Sequence, residues 1–198
     1  MTDSYLTIQT QSSGLYKSKG SRFLSFAHPA KDTEEVKDLI ADYKKRYHNA
    51  RHVCYAYMLG PERNDFRFND DGEPSGTAGK PILGQINARN LTNVLVVVVR
   101  YFGGILLGTG GLVTAYREAA SDALEQAEII EKTVDSGIRI EFEYPDIEVI
   151  MSTIRACEAE IVQQDFQATC TMVLLVPLAY KPSLIDSLEK VSKIEVLF

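Results

Sequence analysis

The chain has 198 residues, of which 45% are hydrophobic and 24% are charged, and its formal net charge at pH 7 is -6. These values are typical of a globular protein, and they exclude a disordered chain, a collagen-like repeat and a long coiled coil. The acidic balance also argues against a protein that coats nucleic acid through bulk positive charge.

The sequence predicts neither a membrane span nor a secretory signal. Its longest apolar run is residues 94–99, whereas a helix that crosses a bilayer needs about 20 residues, and the N-terminus is polar. The three cysteines, Cys54, Cys157 and Cys170, are spaced too widely for a zinc set and are odd in number. We therefore expect a reduced, cytoplasmic protein without a bound metal or other cofactor.

The charge is distributed unevenly along the chain. Residues 1–133 contain 16 Lys and Arg and 16 Asp and Glu, whereas residues 134–198 contain 5 and 11. Because no Pro- or Ser-rich linker separates the two parts, this change predicts two closely joined domains, 1–133 and 134–198.

The first part has a mixed pattern of strands and helices. Alternating residues predict a strand at 5–10, and Gly14 separates it from a second predicted strand at 17–26, so that the two form a hairpin. Asp32 or Thr33 is expected to cap the helix that follows. The further predicted elements are strands at 52–59, 66–68 and 93–102 and helices that begin at Thr77 and Leu112. The strand at 93–102 is almost continuously apolar, which predicts burial on both faces.

The second part predicts the order strand, helix, strand, strand, helix, strand. An alternating strand at 136–144 precedes a helix that Pro145 begins, and a hairpin spans 161–176. A second helix begins at Pro182, and the last strand is 194–198. Two such βαβ units in tandem predict a ferredoxin-like domain, so the whole chain is expected to be α+β.

A cluster of glycines between the buried strand and the helix at Leu112 is the strongest local feature. Glycine permits positive φ, and the amides at a helix N-terminus can receive a phosphate or a carboxylate. Neither standard phosphate-binding motif matches. Two interpretations stay open, an anion-binding turn and a tight crossover that needs small residues for packing. The glycines are Gly103, Gly104, Gly108, Gly110 and Gly111.

Two short patterns of polar residues also leave alternatives open. Asp70, Asp71 and Glu73 place three carboxylates within four residues, an arrangement that suits either a magnesium ion or an ordinary solvated turn. His52 and Cys54 are two residues apart on one predicted strand and therefore share a face. They are either a nucleophile and its base or a buried cysteine beside a polar histidine.

The segment 75–81 resembles a phosphate loop only superficially. Pro81 stands where a metal-binding hydroxyl is needed, and the spacing of the glycines is too short. We interpret the segment as a helix cap at Thr77 followed by a short helix, from which Lys80 extends toward a shared pocket.

Basic residues gather in groups in spite of the acidic total. Lys17, Lys19 and Arg22 lie on one predicted hairpin, with Phe23 and Tyr101 as potential aromatic neighbours. Such a patch can bind single-stranded nucleic acid through phosphate contacts and stacking; the alternative is a solvated charged face. The other basic groups contain Lys44, Lys45, Arg46, Arg51, Arg63, Arg67 and Arg100.

Three long segments, 51–57, 70–81 and 98–112, form a distinctive set, and the basic segment 17–23 precedes them. Together they resemble the IMPACT family, and more specifically its bacterial YigZ-like branch, over nearly the whole chain. The resemblance implies an N-terminal IMPACT domain with the fold of the second domain of a small-subunit ribosomal protein. It also implies a C-terminal ferredoxin-like domain similar to the last domain of elongation factor G.

The resemblance further implies a role in translation, because eukaryotic members regulate translation during amino-acid starvation by binding a partner protein. It implies a non-enzymatic protein that binds RNA, the ribosome or a translation-related protein. The implied ligand-binding residues, including the basic hairpin, are Lys17, Lys19, Arg22, Arg51, His52, Asp71, Glu73, Thr77, Lys80, Arg100, Gly103, Gly104, Gly108, Gly110 and Gly111.

The alternative hypothesis is an enzyme that transfers a phosphoryl group, as do the kinases that share the implied fold. The glycine turn would hold a phosphate, Asp71 or Glu73 would hold magnesium, and Lys80 or Arg100 would offset the charge. The serine-rich phosphate loop of those kinases is not present, and likeness of fold alone is weak support for an activity. Our main expectation is a ligand-sized hollow at the end of the strand at 93–102, lined by Arg100, Lys80 and the bend at 71–73.

Overall fold

The computed structural model describes residues 3–167 and 169–198. The chain divides into two compact units, Tyr5–Lys132 and a smaller one that contains Thr133–Phe198 together with residues 3–4. Both units are mixtures of helices and antiparallel strands, so the α+β class predicted from the sequence is confirmed. The division into domains at 133/134 stays a prediction about which segments fold independently.

A five-stranded antiparallel sheet forms the frame of the larger unit. From residue 4 to residue 133 the elements are β1 (Ser4–Ile8), β2 (Ser12–Ser18), β3 (Ser21–Pro29), α1 (Thr33–Arg46), β4 (His52–Leu59), β5 (Asp65–Asn69), α2 (Gly79–Ala88), β6 (Val94–Tyr101), α3 (Gly108–Glu125) and β7 (Ile129–Thr133). The sheet has the order β2-β3-β6-β4-β5, and β1 pairs separately with β7.

The central strand β6 is buried on both faces, as its continuous apolar sequence predicts. Successive side chains of a strand point to opposite faces, so the sheet carries one apolar cluster against α2 and α3 and another against α1. Val94, Val96 and Val98 belong to the first cluster, and Leu95, Val97 and Val99 belong to the second. Because helices cover both faces, a polar side chain on β6 reaches solvent only at the end of the strand.

The start of α1 agrees with the sequence, whereas the start of α2 does not. Asp32 accepts hydrogen bonds from the amides of Glu34 and Glu35, so the predicted cap of α1 is confirmed. The predicted cap of α2 at Thr77 is wrong, because the Thr77 hydroxyl donates to the carbonyl of Pro74.

The carboxylate of Asp70 takes the place of the predicted cap on α2. It accepts hydrogen bonds from the amides of Gly76, Ala78 and Gly79 at 2.8, 3.0 and 2.8 Å. The bend after β5 is therefore fixed to the start of α2, which could not be seen from local spacing because Asp70 lies six to nine residues before these amides.

The N-terminal hairpin also differs from the prediction. Gly14 lies inside β2, and the turn is formed by Lys19 and Gly20, whose φ angles are +45° and +79°. Two residues with positive φ suit a tight hairpin, because the turn then follows the twist of its strands. The prediction that 5–10 pairs with 17–26 is wrong, since β1 pairs with β7 and β2 pairs with β3.

The smaller unit has the ferredoxin-like topology that its sequence predicts. Its elements are β8 (Asp135–Phe142), α4 (Ile147–Ala156), β9 (Glu160–Phe166), β10 (Cys170–Pro177), α5 (Lys181–Leu188) and β11 (Ser192–Val196). The antiparallel order β11-β8-β10-β9 places the first and third strands at the centre. Among the described residues, no helix is both long and apolar enough to cross a bilayer.

We expect Gly14→Ala to destabilise the protein by about 1–3 kcal/mol, because overpacking of a close contact is costly. A Cβ at this position would lie 2.6 Å from the Ala123 amide nitrogen and 2.6 Å from Asp122 Oδ2 of α3. Urea-induced unfolding of the variant and the parent protein measures the difference.

Gly84→Ala is the matched control for this prediction. It adds the same methyl group to the exposed side of α2, where no described atom outside the local helix backbone lies within 4 Å. Helix propensity favours alanine there by about 1 kcal/mol. The two variants should therefore shift stability in opposite directions, and equal shifts would contradict the packing argument.

Candidate functional site

A cavity of about 850 Å³ lies in the larger unit, where the end of β6 leads into the start of α3. Its walls come from the start of β4, the bend after β5, the end of β6 and the first turn of α3. The volume falls within the range that small-molecule ligands occupy in proteins. Arg51, His52, Glu73, Arg100 and Thr109 provide polar groups to its surface.

The register of the sheet brings these distant residues together. Arg100 near the end of β6 lies opposite His52 at the start of β4 and opposite Phe23 near the start of β3. The guanidinium carbon of Arg100 is 5.5 Å from the centre of the Phe23 ring and 5.7 Å from that of Phe102. Arg100 therefore leaves the apolar interior between two aromatic rings and reaches the cavity.

A buried ion pair forms the floor of the cavity. Arg100 Nη1 lies 2.6 Å from Glu73 Oε1, and the two residues are 5% and 8% exposed. Tyr116 of α3 donates its hydroxyl to the same oxygen at 2.8 Å, and His52 Nε2 lies 3.7 Å from it. Charges removed from water need such partners, so Glu73 joins β6, α3 and β4 at one point.

The bend at residues 70–73 is held entirely by contacts within the larger unit. Asp71 Oδ1 accepts a hydrogen bond from Lys44 Nζ at 2.8 Å, and its Oδ2 accepts one from the Val53 amide at 2.7 Å. The carbonyl of Asp71 lies 2.8 Å from His52 Nδ1. The carboxylates of Asp71 and Glu73 are thus engaged by protein groups, and the described residues contain no cluster suited to hold a metal ion.

Cys54 lies behind the cavity and not on its surface. Its Sγ is 3.0 Å from the carbonyl of Asp70 and 3.4 Å from the Tyr116 hydroxyl, and the residue is fully buried. Burial raises the pKa of the Cys54 thiol, which keeps it protonated. His52 faces the cavity while Cys54 does not, so the arrangement favours the buried-cysteine interpretation over a nucleophile and its base.

The glycines of the cluster meet two different structural requirements, close packing and positive φ. Gly103 packs against the hairpin turn, because a Cβ there would overlap the backbone of Gly20 and Ser21. Gly104 and Gly108 have φ angles of +87° and +72° in open surroundings. Packing therefore explains Gly103, whereas backbone conformation beside the cavity explains Gly104 and Gly108.

The residues implied by the sequence divide between the cavity and its surroundings. Those on the cavity surface are Arg51, His52, Glu73, Arg100 and Gly108. The others lie outside that surface: Lys17, Lys19 and Arg22 on the exposed hairpin, Asp71 and Thr77 in the bend, Lys80 on the exposed side of α2, and Gly103, Gly104, Gly110 and Gly111 in the turn and the start of α3.

Tyr116 contacts the site but is not among the residues predicted from the sequence. It follows Leu112 by four residues on the inner face of α3, among alanines, and is fully buried. Burial raises the pKa of the Tyr116 hydroxyl, so that it stays protonated and donates to Glu73. A tyrosine in an otherwise apolar helix stripe was the available signal, because a buried tyrosine hydroxyl needs a partner.

We expect Glu73→Gln to reduce the free energy of unfolding by about 3 kcal/mol or more, since it leaves the buried Arg100 charge without its counter-ion. Glu125→Gln is the control, because the pair of Glu125 with Arg89 is at the surface, with the Glu125 side chain 63% exposed, and should contribute less than about 1 kcal/mol. Urea-induced unfolding compares the two, and similar losses would contradict the importance of the buried pair.

We also expect Asp71 to contribute to the acid sensitivity of the fold. Burial by itself would raise the pKa of Asp71, but the hydrogen bonds from Lys44 and Val53 outweigh it, and the pKa lies below its ordinary value of 3.8. A lowered pKa in the folded state gives stability that is complete above the unfolded value and is lost as the pH falls through the folded value.

The corresponding variant is Asp71→Asn, with Asp38→Asn on the exposed surface of α1 as its control. Asp71→Asn should be less stable than the parent at pH 7 and should lose less stability between about pH 5 and pH 2. Thermal unfolding measured across this range tests the expectation, and parallel curves for the parent and Asp71→Asn would contradict it.

Comparison with known proteins shows similarity across both units. Residues 19–124 match the family described as the Impact N-terminal domain. The chain is 37% identical over 158 residues to an IMPACT family member of Haemophilus influenzae, an alignment that covers 79% of this chain and 77% of the relative.

Two further proteins extend this similarity. The IMPACT family member YigZ of Escherichia coli is 36% identical over 163 residues, covering 81% of this chain and 80% of the relative. A hypothetical protein of known crystal structure is 31% identical and has a TM-score of 0.76, covering 100% of this chain and 99% of its own. On these grounds the chain belongs to the IMPACT family.

Proposed function

We propose that the protein is a non-enzymatic regulator of translation that acts by binding single-stranded RNA. One observation carries the proposal: the four neighbouring strands β2, β3, β6 and β4 bring basic side chains and aromatic rings to the same end of the sheet, beside the cavity. The connection with translation follows from what the resemblance to the family implies.

The pairing of the strands explains why the cations are adjacent. Lys17 of β2 lies opposite Arg22 of β3, and Arg22 lies opposite Tyr101 of β6. The Arg22 guanidinium carbon is 5.2 Å from the centre of the Tyr101 ring, and Lys19 occupies the hairpin turn. Arg51, immediately before β4, continues the basic edge to the cavity.

These cations are available to an external anion. Lys17, Lys19, Arg22 and Arg51 are exposed, and none takes part in the ion pairs found among residues 3–167 and 169–198. Each contact with a phosphate releases condensed counter-ions, which favours binding at low salt. Phe102, 48% exposed, offers a ring on which a base can stack.

The geometry favours binding over phosphoryl transfer. The kinase hypothesis needs a carboxylate that is available to magnesium, but Glu73 is paired with Arg100 and Asp71 is bonded to Lys44. It also needs a cation to offset the phosphate charge, but Lys80 lies on the exposed side of α2 and Arg100 is already paired with Glu73. The binding hypothesis needs only the exposed cations and aromatic rings that lie together at one end of the sheet.

We expect replacement of Lys17, Lys19 and Arg22 by alanine to weaken binding of a labelled single-stranded RNA by about tenfold or more at low salt. The plot of log affinity against log salt should also become less steep, by about 0.7 for each phosphate that the variant no longer neutralises. Fluorescence anisotropy at several salt concentrations measures both effects.

The matched control replaces Arg155, Lys181 and Lys190 of the smaller unit by alanine, which removes the same charge from a different surface. This variant should bind RNA like the parent protein. An equal loss in both triple variants would show a nonspecific effect of net charge, and failure of the parent protein to bind any single-stranded RNA at low salt would overturn the proposal.

A further inference from the structure

We propose that the cavity binds the terminal nucleotide of a 5′-phosphorylated RNA strand, with its phosphomonoester at the N-terminus of α3. The inference rests on the proposed RNA binding and specifies which part of the RNA enters the cavity. A nucleoside 5′-phosphate occurs both at the end of an RNA strand and in a free mononucleotide, and the experiment below distinguishes these two ligands.

The N-terminus of α3 is open to a ligand on the cavity side. The first amides of a helix have no acceptor within the helix, and the helix dipole makes this end positive. Carboxylates bind the corresponding amides of α1 and α2, but the described residues provide neither a side-chain cap nor a first-turn acid for the 18-residue helix α3. Gly108 and Thr109 of that turn line the cavity.

Arg100 is a second feature of the cavity that favours an anion, independently of the helix. This residue lines the cavity and is 5% exposed. Its Nη1 is bound by Glu73, but its Nε has no hydrogen-bond partner among the described residues. That Nε is itself buried, so what Arg100 offers to a phosphate in the cavity is the positive charge of its guanidinium, which favours a charge-assisted contact.

The charge of the site fits a phosphomonoester better than a diester. Arg51 and Arg100 contribute two positive charges, Glu73 contributes one negative charge, and a helix N-terminus contributes about half a positive charge. The sum is close to the magnitude of about 1.5 to 2 negative charges that a phosphomonoester carries at pH 7. An internal phosphodiester carries a single negative charge, so part of the positive charge of the site would remain without a partner.

The shape of the cavity favours the end of a strand. Its floor is closed by the Glu73–Arg100 pair, both less than a tenth exposed, so a strand that enters toward this pair ends there. Phe102 and Leu106, 48% and 82% exposed, lie on the wall next to Tyr101. A base can stack on these apolar groups while its 5′-phosphate reaches the start of α3.

The experiment compares two RNAs of the same sequence, one with a 5′-phosphate and one with a 5′-hydroxyl, by fluorescence anisotropy of a 3′ label on the full chain. Nucleoside 5′-monophosphates and inorganic phosphate are the competitors. We expect the phosphorylated RNA to bind about tenfold more tightly, as a charge-assisted contact allows, and the mononucleotide to compete better than inorganic phosphate.

Thr109→Glu and Thr109→Gln form a matched pair of variants. A glutamate in the first turn stabilises a helix, so the variant should unfold at a temperature no lower than that of the parent. Its carboxylate repels the phosphate, and the preference for the 5′-phosphate should disappear. Thr109→Gln separates charge from size: it should lose less of that preference than Thr109→Glu, because it adds a side chain of the same size without charge.

Each outcome decides between the two proposals. Equal affinity for the two RNAs would overturn the terminal-nucleotide site and leave the proposed RNA binding intact. Binding of neither RNA together with binding of the mononucleotide would contradict the proposed function and identify the free nucleotide as the source of the phosphate. A preference that persists unchanged in Thr109→Glu would show that the phosphate is not bound at α3.

Discussion

The buried pair of Glu73 and Arg100 determines how the larger unit closes around its cavity. Arg100 is carried by a strand that helices cover on both faces, so its charge needs a partner inside the protein. That partner comes from the bend after β5, and Tyr116 and His52 approach the same carboxylate oxygen. Two strands, one bend and one helix must therefore be in place together, which gives a cavity that exists before any ligand arrives.

Local arrangement of charge matters more here than the net value of -6. Acidic side chains in the bend are neutralised by Arg100, Lys44 and backbone amides, whereas the exposed cations of the hairpin are not. The protein thus presents a positive edge although its total charge is negative. An argument from bulk charge excludes a coating protein, but it does not exclude a binding surface of limited extent.

Sequence patterns predicted the features that depend on neighbouring residues. The ferredoxin-like order, the buried β6 and the Asp32 cap all follow from periodicity or short spacing. The pairing of β1 with β7 and the cap formed by Asp70 depend on contacts across the fold, so local reasoning assigned them wrongly.

The same distinction applies to the candidate site. His52 and Arg100 were identifiable as polar residues at the ends of buried strands and Glu73 as one of three neighbouring carboxylates, and the structure brings them together. The direction of Lys80 was not predictable, because it depends on how α2 packs against the sheet. Tyr116 was hidden within an apolar helix stripe, where its hydroxyl gains meaning only from a neighbour 43 positions away.

The contact between Gly103 and the hairpin turn has a mechanical consequence. Gly103 donates its amide to Ser21 Oγ at 3.1 Å, and its backbone lies directly against that of Gly20. The hairpin turn and the rim of the cavity are therefore fixed to each other by a backbone contact and a hydrogen bond. A ligand contact that orders the hairpin turn also orders the rim of the cavity, so a second contact with the same ligand costs less conformational entropy than the first.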